Sequence, residues 1–162
     1  MSNLSFSSTK ELHFFFKENS FQKIYIITGN KSYKLSGADK LINNVLDNKK
    51  IKFFFKESSY TDINELEKII NELKNFKPDL IIALGGGSTI DYAKAANVLM
   101  NSDNVREEIT KSSYKLNKKF TKLLAIPTTA GSGAEVTSNA VVYIDKIKYS
   151  VEGEMLRPDF FF

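Results

Sequence analysis

Two short glycine-rich segments hold the residues best suited to chemistry. In Leu84-Gly85-Gly86-Gly87-Ser88-Thr89-Ile90-Asp91, three glycines let the backbone turn sharply and approach a ligand without side-chain obstruction. The helix expected to follow turns its free N–H groups toward the same spot. Those donors, the positive end of the helix dipole and the Ser88 hydroxyl make a phosphate site that needs no basic side chain. Asp91 either completes a cap with Ser88 or reaches the ligand. Ile90 stands where G-x-G-x-x-G needs its third glycine, and no Gly-Lys-Ser/Thr follows, so neither of the two commonest phosphate loops is present. The second segment, Ala125-Ile126-Pro127-Thr128-Thr129-Ala130-Gly131-Ser132-Gly133-Ala134-Glu135, also follows a strand and supplies hydroxyls on a flexible backbone. Two such loops on one sheet edge clasp a dinucleotide from opposite sides. Taken singly, each is also compatible with an ordinary structural turn.

The elements that must position these loops are legible in the apolar pattern. From Ser8 to Asn19, Leu12, Phe15 and Phe16 recur at helical spacing. Lys23 to Thr28 is a short apolar run closed by Gly29-Asn30, the pattern of a strand buried on both faces of a parallel sheet. A helical stretch carrying Leu41, Ile42, Val45 and Leu46 leads to a second strand, Ile51 to Phe55. Asp62 to Phe76 is the clearest helix, with a capping-box start at Asp62 and Glu65 and with Pro78 past its end. A third strand, Asp79 to Leu84, runs into a helix from Ser88 to Met100, and a fourth covers Lys122 to Ile126. Asn139 to Ile144, Tyr149 to Val151 and Asp159 to Phe162 read as short strands. Strand and helix alternation predicts a doubly wound α/β domain, Rossmann-like, with a mainly parallel sheet and helices on both faces. Phe160-Phe161-Phe162 reads as the middle of an apolar strand, so residues 1–162 are expected to be one domain cut short.

Composition narrows the classes. With 42% hydrophobic and 26% charged residues, the 162-residue chain can bury a real core. The formal charge of +4 comes from scattered Lys, an ordinary solvated surface that implies no nucleic-acid partner. There is no Cys, which excludes disulfides, thiolate metal sites and sulfur nucleophiles. Lys10, Glu11, Lys17 and Glu18 bracket Phe14-Phe15-Phe16, so neither a signal peptide nor a membrane span is expected, and the expected setting is cytoplasmic.

Gly-Gly-Gly-Ser-x-x-Asp, followed about forty residues later by Pro-Thr-Thr-Ala-Gly-Ser-Gly-Ala-Glu, resembles the N-terminal domain of the iron-containing alcohol dehydrogenase family. The resemblance runs from about Lys23 to Phe162. It implies an oxidoreductase that moves a hydride reversibly between NAD(P)H and a small alcohol or aldehyde, with a divalent metal, iron or zinc, polarising the oxygen. It implies that Gly85, Gly86, Gly87 and Ser88 form the pyrophosphate loop and that Asp91 lies beside the nicotinamide end. Thr128, Thr129 and Ser132 would contact the adenosine or its phosphates. Lys148 falls where the family often has a cofactor-facing lysine; a solvated hairpin lysine is the plain alternative. Ala134 stands where the family usually has Ser, which removes any role for a hydroxyl there.

Cofactor choice is read at the end of the first strand, where a carboxylate would bond the ribose hydroxyls of NAD and repel the extra phosphate of NADP. Thr28-Gly29-Asn30-Lys31-Ser32 has no carboxylate, and Gly29, Lys31 and Ser32 can accommodate a phosphate, so NADP is favoured over NAD. Ser36-Gly37-Ala38 with the preceding turn is reminiscent of reductases acting on phosphonoacetaldehyde.

The resemblance places the metal ligands, one Asp and several His, in a C-terminal helical domain. This chain has a single His, His13, on the first expected helix, so a His-rich site cannot form within one copy. Without that half, the chain is expected to bind a nicotinamide dinucleotide without appreciable turnover. The alternative is a non-catalytic nucleotide-binding or partner-binding remnant, whose exposed apolar surface would favour a homodimer.

Overall fold

The computed structural model of the chain describes residues 4–35, 37, 40, 42, 46 and 48–162. Six strands form one all-parallel sheet: β1 (Leu4–Ser5), β2 (Lys23–Gly29), β3 (Lys50–Lys56), β4 (Leu80–Gly85), β5 (Lys122–Pro127) and, last in the chain, β8 (Phe160–Phe161). Their spatial order is β1-β8-β5-β4-β2-β3. The central strands β2 and β4 are almost wholly buried and rich in Ile and Leu, as a strand covered on both faces must be. The chain goes from β2 to β3 on one side and returns as β4 on the other. The order therefore reverses between β2 and β4, and a parallel sheet leaves its ligand crevice beyond the carboxyl ends at such a point.

Both faces of the sheet are covered. Ile24, Ile26, Leu80, Ile82, Leu84 and Leu124 pack with Leu12, Phe15 and Phe16 of α1 (Thr9–Glu18). On the other face Tyr25, Ile27, Ile81 and Ala83 pack with α3 (Ile63–Phe76) and α4 (Gly87–Leu99). Helix α1 starts at Ser8, whose hydroxyl accepts from Glu11 N. Helix α3 starts at Asp62, whose carboxylate accepts from Asn64 N and Glu65 N at 2.9 and 3.3 Å, and ends at Lys77 in the left-handed region. Glu65 does not close a capping box. Its carboxylate takes the Glu57 N–H at 2.7 Å and the Tyr92 hydroxyl, and Asp62 N donates to that same hydroxyl at 2.7 Å.

Several elements differ from the sequence expectation. The helix after β2 begins at once, as α2 (Asn30–Leu35), where Gly29-Asn30 predicts a turn. Of the expected apolar helix face, Ile42 and Leu46 are buried, while Leu41 and Val45 lie outside the described residues, as do Ser36 and Ala38. Strand β1 and the short helix α5 (Val105–Thr110) were not anticipated. Strands β6 (Asn139–Ile144) and β7 (Ile147–Glu152) do not extend the main sheet; they form an antiparallel hairpin of their own. Asp145 and Lys146 at its tip both have positive φ, as a tight two-residue turn demands. The buried side of the hairpin, Ala140, Val142, Ile144 and Val151, joins the core cluster that holds α4. Helix α4 is thus enclosed between the sheet and the hairpin. No helix among the described residues is long and apolar enough to cross a membrane.

Candidate functional site

The carboxyl ends of β4 and β5 place the two glycine-rich segments side by side. Strand register aligns Gly85 with Pro127, and Thr128 N donates to Gly85 O at 3.0 Å, so the second loop starts on the backbone of the first. Beyond that point the contact is between main chain and small side chains. A Cβ on Gly86 would stand 3.0 Å from Thr129 Oγ1, and one on Gly87 would stand 3.1 Å from Ser132 Cβ. Thr129 and Ser132 are exposed on this edge. The structure thus brings Gly85, Gly86 and Gly87 together with Thr128, Thr129 and Ser132.

Gly86 occupies the N-cap of α4, and no side chain caps that helix end. Thr89 N and Ile90 N return to Gly86 O, and the N-terminal end of this thirteen-residue helix lies against the second loop at Thr129 and Ser132. An uncapped N-terminus lined by glycine backbone and two hydroxyls suits an anion carried on oxygen atoms. From the far side, Thr61 Oγ1 donates to Ser88 O at 3.3 Å and holds the first turn in place.

Asp91 does not complete a cap with Ser88. One turn into α4, its Oδ2 accepts the Val141 N–H of β6 at 3.2 Å, which ties the helix to the hairpin. Burial pushes this carboxyl up to about 6, against the opposing pull of the Val141 N–H, Lys94 and Lys148. Lys148 lies on β7, opposite Tyr143 in the ladder, exposed but near enough to Asp91 to act on its charge. At the next strand end, Gly29 closes β2 and Lys31 is exposed on α2. Ser32 is on the same helix, with its side chain outside the described set. These three share the sheet edge with the loops, one strand away.

The sequence reading missed Lys94. It is fully buried in a helix whose inward residues are mainly apolar, and its Nζ donates to Ala134 O at 2.9 Å and to Thr137 Oγ1 at 3.0 Å. Ala134 thus serves through its carbonyl, and the missing hydroxyl at that position is immaterial to this contact. Burial pushes the Lys94 ammonium down to about 8, against the carboxylates of Asp91 and Glu135, while Arg157 depresses it further. The available signal was a lone lysine inside the run Tyr92 to Met100. His13 is exposed on α1, and among the described residues no group of three His, Cys, Asp or Glu could hold a metal.

The family model for iron-containing alcohol dehydrogenase matches residues 5–162. An alcohol dehydrogenase of Thermococcus barophilus is 32% identical over 143 residues, covering 83% of this chain and 38% of that protein. An NADPH-dependent butanol dehydrogenase of Clostridium saccharobutylicum is 37% identical over 94 residues, 54% of this chain and 24% of its own length. Among solved structures, the NADH-dependent butanol dehydrogenase A of Thermotoga maritima superposes with a TM-score of 0.85 at 19% identity, over 99% of this chain and 42% of that one. The chain spans about two fifths or less of the length of each of these proteins.

Proposed function

The chain belongs to the iron-containing alcohol dehydrogenase family, and from that premise we propose that residues 1–162 form a domain that binds a nicotinamide dinucleotide, NADP in preference to NAD. The observation that carries the reading is the uncapped N-terminus of α4, framed by Gly86 and Gly87 on one side and Thr129 and Ser132 on the other. The backbone N–H groups there hold the pyrophosphate, and the helix dipole favours its charge. Ser88, Thr128, Thr129 and Ser132 supply hydroxyls around it. Asp91 and Lys148 lie together at the hairpin side, where they orient the nicotinamide half.

Relatives named for NADPH and for NADH both occur, so family membership leaves the choice of cofactor to local residues. Here β2 ends on Gly29, and the exposed Lys31 follows. A glycine leaves room for a phosphate, and no carboxylate stands at that strand end to repel it.

When bound, the dinucleotide supplies or accepts the hydride in the reversible oxidation of an alcohol that is proposed for the whole protein. This chain's residues bind and orient it. The polarising metal has no donor set among the described residues. A cytoplasmic setting belongs to the same reading.

Calorimetric titration of the chain with NADPH, NADH and ADP tests the proposal. NADPH is expected to bind most tightly, NADH less so and ADP least. No binding of any of the three would overturn the nucleotide reading, and a preference for NADH would overturn the cofactor assignment alone.

A further inference from the structure

A fully buried ammonium is costly unless hydrogen bonds and opposite charge compensate it. Lys94 has both kinds of compensation, and all of it comes from parts of the nucleotide site. Its two hydrogen-bond acceptors, Ala134 O and Thr137 Oγ1, belong to the turn that ends the second glycine-rich loop. Thr137 Oγ1 also donates back to Ala134 O at 3.4 Å, so the turn is closed on itself around the ammonium. The start of the loop is held separately, by the bond from Thr128 N to Gly85 O. The exposed stretch from Thr129 to Ser132 therefore hangs between two anchors, a backbone bond on β4 and a side chain from inside α4. Glu135, next in the chain, has one carboxylate oxygen buried with no hydrogen-bond partner, and its charge faces Lys94.

We propose that Lys94 is the positioning residue of the nucleotide site: from within α4 it holds the Ala134–Thr137 turn and thereby sets how closely the second loop closes on the first. The proposal rests on the nucleotide reading above and assigns that site a part remote from the ligand. Lys94 touches neither phosphate nor nicotinamide. It acts through the loop, and through its charge on Asp91, which faces it from its own helix. The other charged groups around this pair are Glu135 on the loop, Lys148 on the hairpin and Arg157 ahead of β8.

The test compares the wild-type chain with Lys94→Met, which keeps length and apolar packing but removes charge and donors. Folding is followed by thermal denaturation, NADPH affinity by calorimetry well below the melting point, and the Asp91 carboxyl by NMR titration without ligand. Lys94→Met is expected to bind NADPH at least about tenfold more weakly, the scale of hydrogen bonds lost from a charged group. Its Asp91 inflection should move above the wild-type value of about 6, because a cation that holds it down is gone. Should Lys94→Met fail to fold, Thr137→Val removes one acceptor while leaving the ammonium bonded to Ala134 O, and a loss of about threefold is expected. Undiminished NADPH affinity in a folded variant would overturn the positioning role, even with a lowered melting temperature, since a merely structural lysine would give that result. Failure of the wild-type chain to bind NADPH, NADH or ADP would instead remove the nucleotide reading itself.

Discussion

At Gly85 a Cβ atom would stand 2.5 Å from Thr89 Oγ1 and 2.9 Å from Thr89 Cβ, whereas at Gly131 nothing would lie within 4 Å, but the backbone sits at φ +96°. The first loop needs glycine because the next turn of its own helix occupies the space. The second needs it because an L side chain rarely adopts that backbone angle. The supports differ in the same way. The first loop grows from the buried end of β4, and its geometry is set by sheet register and by the helix start. The second is an exposed span whose far end depends on a single buried lysine. One loop is thus set by the sheet and the helix start, and the other is held only at its two ends.

The sharpest way to break this contrast is Gly85→Ala. Thr89 is 1% exposed and cannot swing away, so the substitution should cost close to the upper end of the overpacking range, about 3 kcal/mol. It should also abolish NADPH binding, because the helix start would shift. Denaturant unfolding gives the stability, and a partial recovery in Gly85→Ala with Thr89→Ala would confirm that the cause is steric. A wild-type-like melt for Gly85→Ala alone would show that the loop yields easily.

The pH dependence of stability probes the charge under the loops. Asp91 is raised from 3.8 to about 6 in the folded chain, so the unfolded state ionises first as pH rises. Its ionised form therefore costs folded stability, with none of that cost present below about pH 3.8 and all of it present above about pH 6. Relative to Asp91→Asn, the wild type should lose roughly 2 kcal/mol across that window, after allowance for the group's partial exposure. Lys94, lowered from 10.5 to about 8, carries its cost below pH 8 and sheds it as pH rises from 8 to 10.5. Chemical denaturation at several pH values checks both slopes, and a flat difference between wild type and Asp91→Asn from pH 4 to 7 would contradict the first.

Gly131→Ala should act more mildly, at about 1 kcal/mol, because only backbone strain opposes it. No neighbour lies close enough for a second substitution to rescue it. If shrinking Ser132 or Thr129 restored stability, the distinction between the loops would fail.

Much of this arrangement is legible in the residues, and the exceptions have physical causes. Strands β2 and β4 announce themselves because parallel strands buried on both faces are continuous apolar runs. Helix α3 is plain from the spacing of Ile63, Leu66, Ile70 and Leu73. Helix α2 is not, since Asn30-Lys31-Ser32-Tyr33-Lys34-Leu35 has no apolar stripe and Gly29-Asn30 reads as a turn. Strand β1 is two residues long and exists only by pairing with β8 from the other end of the chain. The strands Asn139 to Ile144 and Tyr149 to Val151 and a hairpin at Lys148 are legible, but alternation does not say that this hairpin stands apart from the main sheet. The two loops were readable because they occur together, each directly after a strand, although either alone reads as well as an ordinary turn. Lys94 was not, because a lysine in an alanine-rich helix ordinarily points to water, and its burial depends on contacts forty or more residues away.

The smallest expected effect belongs to the neighbouring strand end, which tests how far the main-chain character of the first loop extends along the edge. Lys31 is exposed, so any attraction it offers a phosphate is screened by water and salt and amounts to a few tenths of a kcal/mol up to about 1 kcal/mol. Lys31→Glu should therefore weaken NADPH several-fold, about two- to fivefold at low salt, with less change for NADH, and the difference should shrink as salt is added. The pyrophosphate contacts proposed for the backbone of Gly86 and Gly87 would lie one strand away and would not depend on Lys31, so NADH affinity serves as an internal control. Equal losses for both cofactors would place Lys31 in general electrostatic steering, and the preference for NADP would then have to come from the room that Gly29 leaves at the end of β2.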